Sequence, residues 1–400
     1  MNRIFAFFKR EAVLCVSLIL AAASMLFVPP DKEYWGYIDF RTLAILFCLM
    51  SVMAGLQKLG VFGRIAKGLL RHVRSGRGLI LTLVLLCFFS GMLITNDVAL
   101  ITFVPFTFIV LRMLGEEQKD RLVLPVVVMQ TIAANLGSML TPVGNPQNLY
   151  LYGKAGLSVG GFLVLTLPYT LLSLALLAGW SLIQGRACPQ IPESGSVTAG
   201  EETAEEETAE EMPAEEGLAE EKISHKRGAG YPLMVYLALF LLCLLAVGRI
   251  LPWQAALLAV GIMVFLTDRQ VFKGVDYSLL LTFTGFFVFV GNVGRIPVFR
   301  DFLQGIIAGR EVYTAILVSQ VISNVPAALL LSGFTEDFAG LIIGTNLGGL
   351  GTLIASMASL ISYKYVAREA GSRKGRYIML FTVGNLFFLA VLVLAYAVWR

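Results

Sequence analysis

Charged residues are scarce in this chain of 400 residues. Asp, Glu, Lys and Arg make up 14% of the sequence, against about 25% in an ordinary soluble domain, whereas 57% of the residues are hydrophobic. This shortage of charge excludes a soluble enzyme fold for most of the chain. Apolar runs long enough to cross roughly 30 Å of hydrocarbon recur throughout, and each must be helical because lipid offers the backbone no hydrogen-bond partners. The sequence therefore predicts an all-α polytopic membrane protein.

Cysteine and histidine are also rare. The cysteines occur singly, four in apolar segments and one in a loop: Cys15, Cys48, Cys87, Cys243 and Cys188. Their spacing predicts neither a disulfide framework nor a metal site. His72 and His225 lie in basic polar stretches without a partner at ligand spacing. We expect no catalytic site, no cofactor, no nucleic-acid partner, and no metal other than Na⁺ as a coupling ion.

Eleven apolar stretches are candidates for membrane segments. Seven are continuous: residues 12–30, 38–57, 161–184, 231–250, 252–267, 277–293 and 377–398. Four are interrupted by polar residues, Gly or Pro: residues 78–112, 122–152, 310–335 and 339–364. The first stretch follows a basic start like that of a secretory signal, but it is long enough to stay in the membrane, and we interpret it as an uncleaved helix.

The composition changes abruptly between residues 186 and 230. Residues 201–221 contain eleven Glu and neither Lys nor Arg. Such a segment cannot bury a core, so it is predicted to be a disordered or transiently helical acidic linker on the cytoplasmic side. It separates a first membrane repeat, residues 1–185, from a second, residues 231–400.

The two repeats are similar in sequence. The stretch "DFRTLAILFCLMSVMAGLQKLGVFGRIAKG" aligns without a gap with "DYSLLLTFTGFFVFVGNVGRIPVFRDFLQG". Next, "LITNDVALITFVPF" corresponds to "VISNVPAALLLSGF", which pairs Thr95 with Ser323. Then "NLGSMLTPVGNPQN" corresponds to "NLGGLGTLIASMAS", which pairs Asn135 with Asn346. Three matches in the same order favour an internal repeat over chance similarity between apolar helices.

Each repeat is predicted to contain a re-entrant hairpin and a helix that crosses the membrane with a break. The hairpins are residues 78–112 and 310–335, and the broken helices are residues 122–152 and 339–364. This arrangement gives about nine crossings, inverts the second repeat and places most Lys and Arg on one face. The positive-inside rule makes that face cytoplasmic, with the N-terminus inside and the C-terminus outside. Inverted repeats with matching broken helices are typical of secondary transporters with a site near the midplane.

The hairpin tips are candidates for substrate binding. In the first, Asn96 is predicted to be the N-cap of a helix whose unsatisfied N–H groups favour an anion. The second tip offers Asn324 in the same position. Two capped kinks without function are the alternative, but a matched pair of polar tips at membrane depth favours binding. The predicted substrate-binding residues are Thr95, Asn96, Ser323 and Asn324.

The broken helices are candidates for cation sites, because unwinding frees carbonyl oxygens that can hold a small cation. Asp97 is the only acid predicted at the midplane. It is either a carboxylate that binds Na⁺ or carries a proton, or a first-turn acid satisfied by its own helix. A packing role for the glycines is the alternative. The predicted coupling residues are Asp97, Thr141, Gly144, Asn145, Asn148, Thr345, Asn346, Thr352 and Ser356.

These stretches resemble the ion transporter superfamily, which contains arsenite permeases, the Na⁺/H⁺ antiporter D group, the melanosomal P protein and the citrate and dicarboxylate permeases. "TNDVALITFVPF" looks like the arsenite-permease and antiporter hairpin, and "SNVPAALL" resembles the second hairpin. "NLGSMLTPVGNPQN" is similar to the pattern of the P-protein and anion-permease branches, and the anion-permease branch is the nearest. The dicarboxylate transporters carry Ser-Asn-Thr at both tips, and Asn145 stands where several antiporter-like members have Asp.

The resemblance implies a homodimer of two-domain protomers, in which a transport domain moves across the membrane against a scaffold, with substrate at Asn96 and Asn324. The leading hypothesis is a permease that moves a small anion, a carboxylate or an oxyanion, across the cytoplasmic membrane together with Na⁺ or H⁺. A Na⁺/H⁺ antiporter or an arsenite-type efflux permease is the alternative within the fold. A membrane sensor or scaffold that works through its acidic linker is the alternative of another class.

Overall fold

The structure is a computed structural model that describes residues 11–71, 73, 75–187 and 230–399. These residues contain no strand, and short 3₁₀ segments occur at Gly185–Ala187, Arg269–Gly274 and Gly371–Arg373. The α-helices are α1 (Ala12–Met25), α2 (Tyr34–Tyr37), α3 (Phe40–Lys58), α4 (Val61–Leu70), α5 (Gly76–Ile94), α6 (Asn96–Met113), α7 (Glu116–Ser138), α8 (Pro146–Ala155), α9 (Val159–Gln184), α10 (Gly230–Val247), α11 (Trp253–Thr267), α12 (Tyr277–Gly294), α13 (Pro297–Ile307), α14 (Glu311–Ile322), α15 (Asn324–Leu331), α16 (Phe338–Gly348), α17 (Met357–Glu369) and α18 (Lys374–Trp399).

The prediction of an all-α polytopic membrane protein is confirmed. Seven described helices are long and apolar enough to cross a membrane by length and composition: α3, α5, α6, α7, α9, α12 and α18. An eighth arises if α13 and α14, which are bent by 108°, form one span. Most of the acidic linker lies outside the described residues, as do Cys188, His72 and His225.

Four pairs of helices meet at the predicted interruptions. They are α5 with α6, α7 with α8, α14 with α15, and α16 with α17. The first hairpin pair has helices of 19 and 18 residues, and each is long enough to cross the membrane alone, whereas the second pair has helices of 12 and 8 residues. The return of each hairpin to its own side, and with it the count of nine crossings, stays a prediction.

Corresponding helices of the two repeats begin in the same way. At the start of α3, the Asp39 carboxylate accepts the N–H of Thr42 at 3.0 Å. At the start of α12, the Asp276 carboxylate accepts the N–H of Leu279 at 2.9 Å. The two caps have nearly equal backbone angles, φ −80° and ψ 82° at Asp39 against φ −79° and ψ 84° at Asp276. The equal caps support the internal repeat, and its inversion stays a prediction.

The helices that carry the interruptions pack into one unit. Helices α5 and α6 pack against α7, and α14 and α15 pack against α16. Contacts also cross between the repeats, because α6 packs against α17 and α8 packs against both α15 and α16. Helices α3, α10 and α11 pack together, as do α1 and α12, and they touch the interrupted helices through α12 with α15 and α3 with α8.

Two aligned glycines allow the closest of these helix crossings. A Cβ atom on Gly137 of α7 would lie 2.1 Å from the carbonyl oxygen of Phe88 on α5. A Cβ atom on Gly348 of α16 would lie 2.6 Å from Oγ of Ser319 on α14. Small residues let membrane helices approach to this distance. The packing explanation therefore holds for Gly348.

Candidate functional site

The two polar interruptions predicted as hairpin tips carry the same unusual backbone. Thr95 has φ 71° and ψ 152°, and Ser323 has φ 73° and ψ 156°. Only one other non-glycine residue in the described part of the chain, Arg249, has a positive φ. Such a conformation costs on the order of 1–3 kcal/mol and persists only where the surrounding structure enforces it. We call residues 95–97 the first tip and residues 323–325 the second tip.

The predicted N-cap positions are wrong by one residue. The caps are Thr95 and Ser323, and neither forms a side-chain cap bond, while Asn96 and Asn324 are the first residues of α6 and α15. Because the cap residue has a positive φ, the asparagine that follows it is the first residue of the helix. There the Asn96 side-chain oxygen accepts the N–H of Asp97 at 2.9 Å, which satisfies one of the free donors of this helix end.

Each tip contacts the break of the crossing helix in its own repeat. The Asn96 backbone N–H donates to the carbonyl of Gly144 at 3.3 Å, and the Asn324 N–H donates to the carbonyl of Ala355 at 3.0 Å. Gly144 and Ala355 are aligned positions in the two repeats. We call residues 139–145 the first break and residues 349–356 the second break. The tips and breaks thus form two similar junctions.

The sequence predicted that the carbonyls freed by the first break would be open to a cation, but three carbonyls at this break accept hydrogen bonds from a side chain. Asn148, from the first turn of α8, points its side-chain nitrogen at the carbonyls of Ser138, Met139 and Thr141 at 3.3, 3.5 and 3.3 Å. Its side-chain oxygen accepts the amide of Asn346 at 2.6 Å. Asn148 therefore satisfies the unwound backbone, and its oxygen is already used.

Two aligned asparagines connect the repeats. Asn135 Oδ1 accepts bonds from Asn96 Nδ2 at 2.9 Å and from Ser356 Oγ at 3.0 Å. Asn346 Nδ2 reaches Asn148 from the other repeat. The sequence prediction named Asn346 as a site residue but left out Asn135. Their alignment within "NLG" in both repeats was the signal that could have identified Asn135.

The predicted threonines take structural bonds. Thr141 donates to a carbonyl of α5, and Thr345 donates to a carbonyl one turn earlier in its own helix. Thr352 is exposed and bonds Gln320 through both its backbone N–H at 2.9 Å and its hydroxyl. Gln320, which the sequence prediction missed, also donates to the carbonyl of Gly348 at the end of α16 and to that of Leu350 in the second break. Gln320 thus performs at the second junction the role that Asn148 performs at the first.

Several buried oxygens at the junctions have no hydrogen-bond partner. They are Asp97 Oδ1 and Asn145 Oδ1 near the first tip, and Asn346 Oδ1 and Ser359 Oγ near the second break. Asn145 uses its nitrogen to donate to Ser138 Oγ at 2.7 Å, which leaves the oxygen free. Oxygen acceptors of this kind are suited to Na⁺ or to a donor group of a ligand.

The interrupted helices carry almost no charge. Asp97 is the only charged residue between Arg77 and Arg112, and residues 122–153, 312–335 and 338–363 contain none. An anion at the tips would therefore be held by N–H groups, amides and hydroxyls rather than by Lys or Arg. This favours a small or weakly charged substrate, because a highly charged anion needs stronger compensation at membrane depth.

Comparison with known proteins agrees with this architecture. The model of the citrate transporter family, CitMHS, matches residues 4–339. The chain belongs to the citrate transporter family. Membership makes it a membrane transporter rather than an enzyme, and it confirms the resemblance to the ion transporter superfamily.

Curated proteins from several organisms are similar to this chain over all or part of its length. Inner membrane protein YbiR of Escherichia coli (strain K12) is 31% identical over 363 residues, 87% of this chain and 86% of YbiR. The uncharacterized transporter MJ0456 of Methanocaldococcus jannaschii is 28% identical over 368 residues, 91% of each chain. The silicon efflux transporter LSI3 of Oryza sativa subsp. japonica is 29% identical over 167 residues, 40% of this chain and 33% of LSI3.

Proposed function

We propose that the protein is a secondary active transporter that moves a small oxyacid anion across the cytoplasmic membrane together with Na⁺ or H⁺. The observation that carries the proposal is the pair of similar junctions, in which Asn96 and Asn324 each contact the break of a crossing helix through the backbone N–H. Paired helix ends that meet broken helices are the usual sites of secondary transporters.

The substrate site lies at the two tips. Helices α6 and α15 begin there, and their first N–H groups provide the positive ends of two helix dipoles. Asn96 and Asn324 are each 5% exposed, so a ligand at the tips exchanges water for N–H donors in a largely desolvated environment. Thr95 and Ser323 add hydroxyl groups beside them.

The buried oxygens without a hydrogen-bond partner support coupling to a cation. Asp97 and Asn145 supply acceptors beside the first tip, and Asn346 and Ser359 supply them beside the second break. Na⁺ bound there, or a proton on Asp97, would cancel the repulsion between this carboxylate and an anionic substrate. The other predicted coupling residues have structural contacts. Gly144 accepts the Asn96 N–H, and Ser356 donates to Asn135. Asn148 donates to carbonyls at the first break.

An elevator-type motion fits the packing. The interrupted helices of both repeats form one unit, and α1, α3 and α10–α12 supply a scaffold that touches this unit through a limited set of helices. We propose that the unit moves as a body within a homodimer in the inner membrane, with the N-terminus inside and the C-terminus outside. The name of the relative YbiR supports this membrane assignment.

A second candidate function is efflux of a weak oxyacid in exchange for H⁺ or Na⁺. It is favoured by the free Asp97 Oδ1, which suits a ligand hydroxyl better than an anion, and by the silicon efflux transporter among the relatives. Family membership favours both candidates over a sensor or scaffold that works through its acidic linker.

Transport by purified protein in liposomes tests the proposal. Uptake of citrate, malate, arsenite or silicic acid would be followed under an imposed Na⁺ gradient, an imposed pH gradient, or neither. Gradient-driven accumulation of a carboxylate supports the leading proposal, and proton-driven movement of arsenite or silicic acid supports the second candidate. A protein that moves none of them under any gradient contradicts both.

A further inference from the structure

Gln147 is the most poorly satisfied polar side chain in the described part of the protein. It is 1% exposed, and neither its side-chain oxygen nor its side-chain nitrogen has a hydrogen-bond partner. Every other side chain with a buried unpartnered atom in the described ranges has only one such atom. A buried amide without partners is destabilising, and a native structure that retains one needs a reason for it.

The second fully buried glutamine of the interrupted helices uses its side-chain nitrogen to connect helices, although its side-chain oxygen has no partner. Gln130 on α7 is 0% exposed, and its nitrogen donates to Thr107 Oγ1 at 2.8 Å and to the carbonyl of Leu83 at 3.2 Å. Gln130 therefore connects helices within the unit. Gln147 connects nothing, so packing of the helices does not explain why the position is polar.

Gln147 lies beside the first break, and its chain neighbour contacts the other repeat. It is the second residue of α8, directly after the first break, and its neighbour Asn148 accepts the bond from Asn346. Residues three apart share one face of a helix, and Tyr150, three residues on, bonds Ser332 at the end of α15 at 2.8 Å. The Tyr150 ring also lies 5.4 Å from that of Phe287 on α12. Gln147 thus lies on the face of α8 that packs toward α15 and the scaffold.

We propose that Gln147 is a further substrate-binding residue that selects oxyacids carrying a hydroxyl beside an acceptor oxygen. This inference rests on the proposed function. A primary amide presents one donor group and one acceptor. A hydroxy acid satisfies both, because its carboxylate accepts from the nitrogen and its hydroxyl donates to the oxygen. A fully ionised carboxylate without a hydroxyl has no donor, and it leaves the Gln147 oxygen unpaired.

The first test compares Gln147→Leu with Gln130→Leu in ligand-free, detergent-solubilised protein. Leucine is close to glutamine in size and needs no hydrogen bonds. Gln147→Leu should raise the melting temperature, because it removes two unpaired polar atoms. Gln130→Leu should lower it, because it removes the two bonds that the Gln130 nitrogen donates to Thr107 Oγ1 and to the carbonyl of Leu83. A melting temperature of Gln147→Leu at or below that of the parent overturns the inference, whether or not any substrate binds.

The second test measures dissociation constants for two probe pairs, citrate with tricarballylate and malate with succinate. The members of each pair differ in one hydroxyl group. The parent should bind the hydroxylated member roughly tenfold more tightly or better, and Gln147→Leu should remove this preference while Gln130→Leu keeps it. Equal preference in the parent and Gln147→Leu overturns the inference and leaves the proposed transport standing. If no probe binds the parent, transport of these carboxylates is refuted, and the melting temperatures alone decide the role of Gln147.

Discussion

Asn96 Nδ2 donates to Asn135 Oδ1 at 2.9 Å, and this bond connects the first tip to α7. The same oxygen accepts Ser356 from the other repeat. One amide oxygen therefore holds a hairpin tip and the second break together.

Replacing Asn135 should destabilise the protein more than replacing another buried asparagine. Asn135→Leu leaves the Asn96 amide and the Ser356 hydroxyl without an acceptor, at about 1–3 kcal/mol for each buried donor. The matched control is Asn385→Leu on α18, because Asn385 is buried like Asn135 but donates only to a carbonyl of its own helix. Thermal unfolding in detergent measures both. Equal losses of stability would show that Asn135 is an ordinary core residue.

Loss of either tip asparagine should abolish substrate binding and leave the fold largely intact. Asn96→Ala and Asn324→Ala keep the backbone N–H groups that contact the breaks, so the cost to folding should be about 1–3 kcal/mol. A bound anion loses a charge-assisted bond of roughly 1.5–3 kcal/mol, or about 10- to 150-fold in affinity. Substrate-induced thermal shift and uptake into liposomes measure binding. Parent-like affinity in both variants would remove the tips from the site.

Asp97→Asn should separate coupling from binding. Asparagine keeps the shape of the side chain but cannot ionise, so the dependence of substrate affinity on pH and Na⁺ should flatten while binding itself persists. The measurement is a set of substrate titrations at several pH values, with and without Na⁺. If the variant keeps the full dependence of the parent, Asp97 is an ordinary first-turn acid, and Asn145 and Asn346 become the candidates for coupling.

The predicted topology can be tested by labelling single cysteines from one side of the membrane. The connections after α6 and after α8 are predicted to face the cytoplasm and the outside, respectively. Gly115 and Gly156 in these connections have φ 98° and 64° and would be strained as cysteine, so the exposed neighbours Glu117 and Lys154 are better positions. In a background without native cysteines, Glu117→Cys should react only from the cytoplasm and Lys154→Cys only from outside. Reaction of both from the same side rejects the hairpin.

Gly137→Ala should be strongly destabilising, because the new methyl group meets the backbone of α5, which cannot move without disturbing the whole unit. Overpacking of this kind costs about 1–3 kcal/mol. Gly261→Ala on α11 is the control, since a Cβ atom there has nothing within 4 Å. Thermal unfolding of both variants decides the matter. A tolerated Gly137→Ala would mean that α5 and α7 do not cross this closely.

The sequence was sufficient to predict the helices and the places where they are interrupted. Polar residues at 95–97 and 323–324 stand out within apolar runs, and the glycines and prolines of the first break exclude a regular helix there. These are local properties of the chain.

The partners of the polar side chains were not predictable in the same way. Asn148 was expected to offer its oxygen to a cation, but the oxygen is taken by Asn346, a residue 198 positions away. Thr345 was expected to line a site, but it bonds its own helix. Asn135 and Gln147 were overlooked because an amide in an apolar run looks the same whether it has three partners, as Asn135 has, or none, as Gln147 has.

The bond between Asn148 and Asn346 also has a consequence for biosynthesis. At a translation rate of about 5–20 residues per second, the 198 residues that separate the two asparagines delay the arrival of Asn346 by roughly 10–40 s. During this interval the first repeat is already in the bilayer. The Asn148 oxygen still lacks its donor Asn346, and the Asn135 oxygen lacks its donor Ser356. The first repeat therefore completes these contacts only after the second repeat has been made.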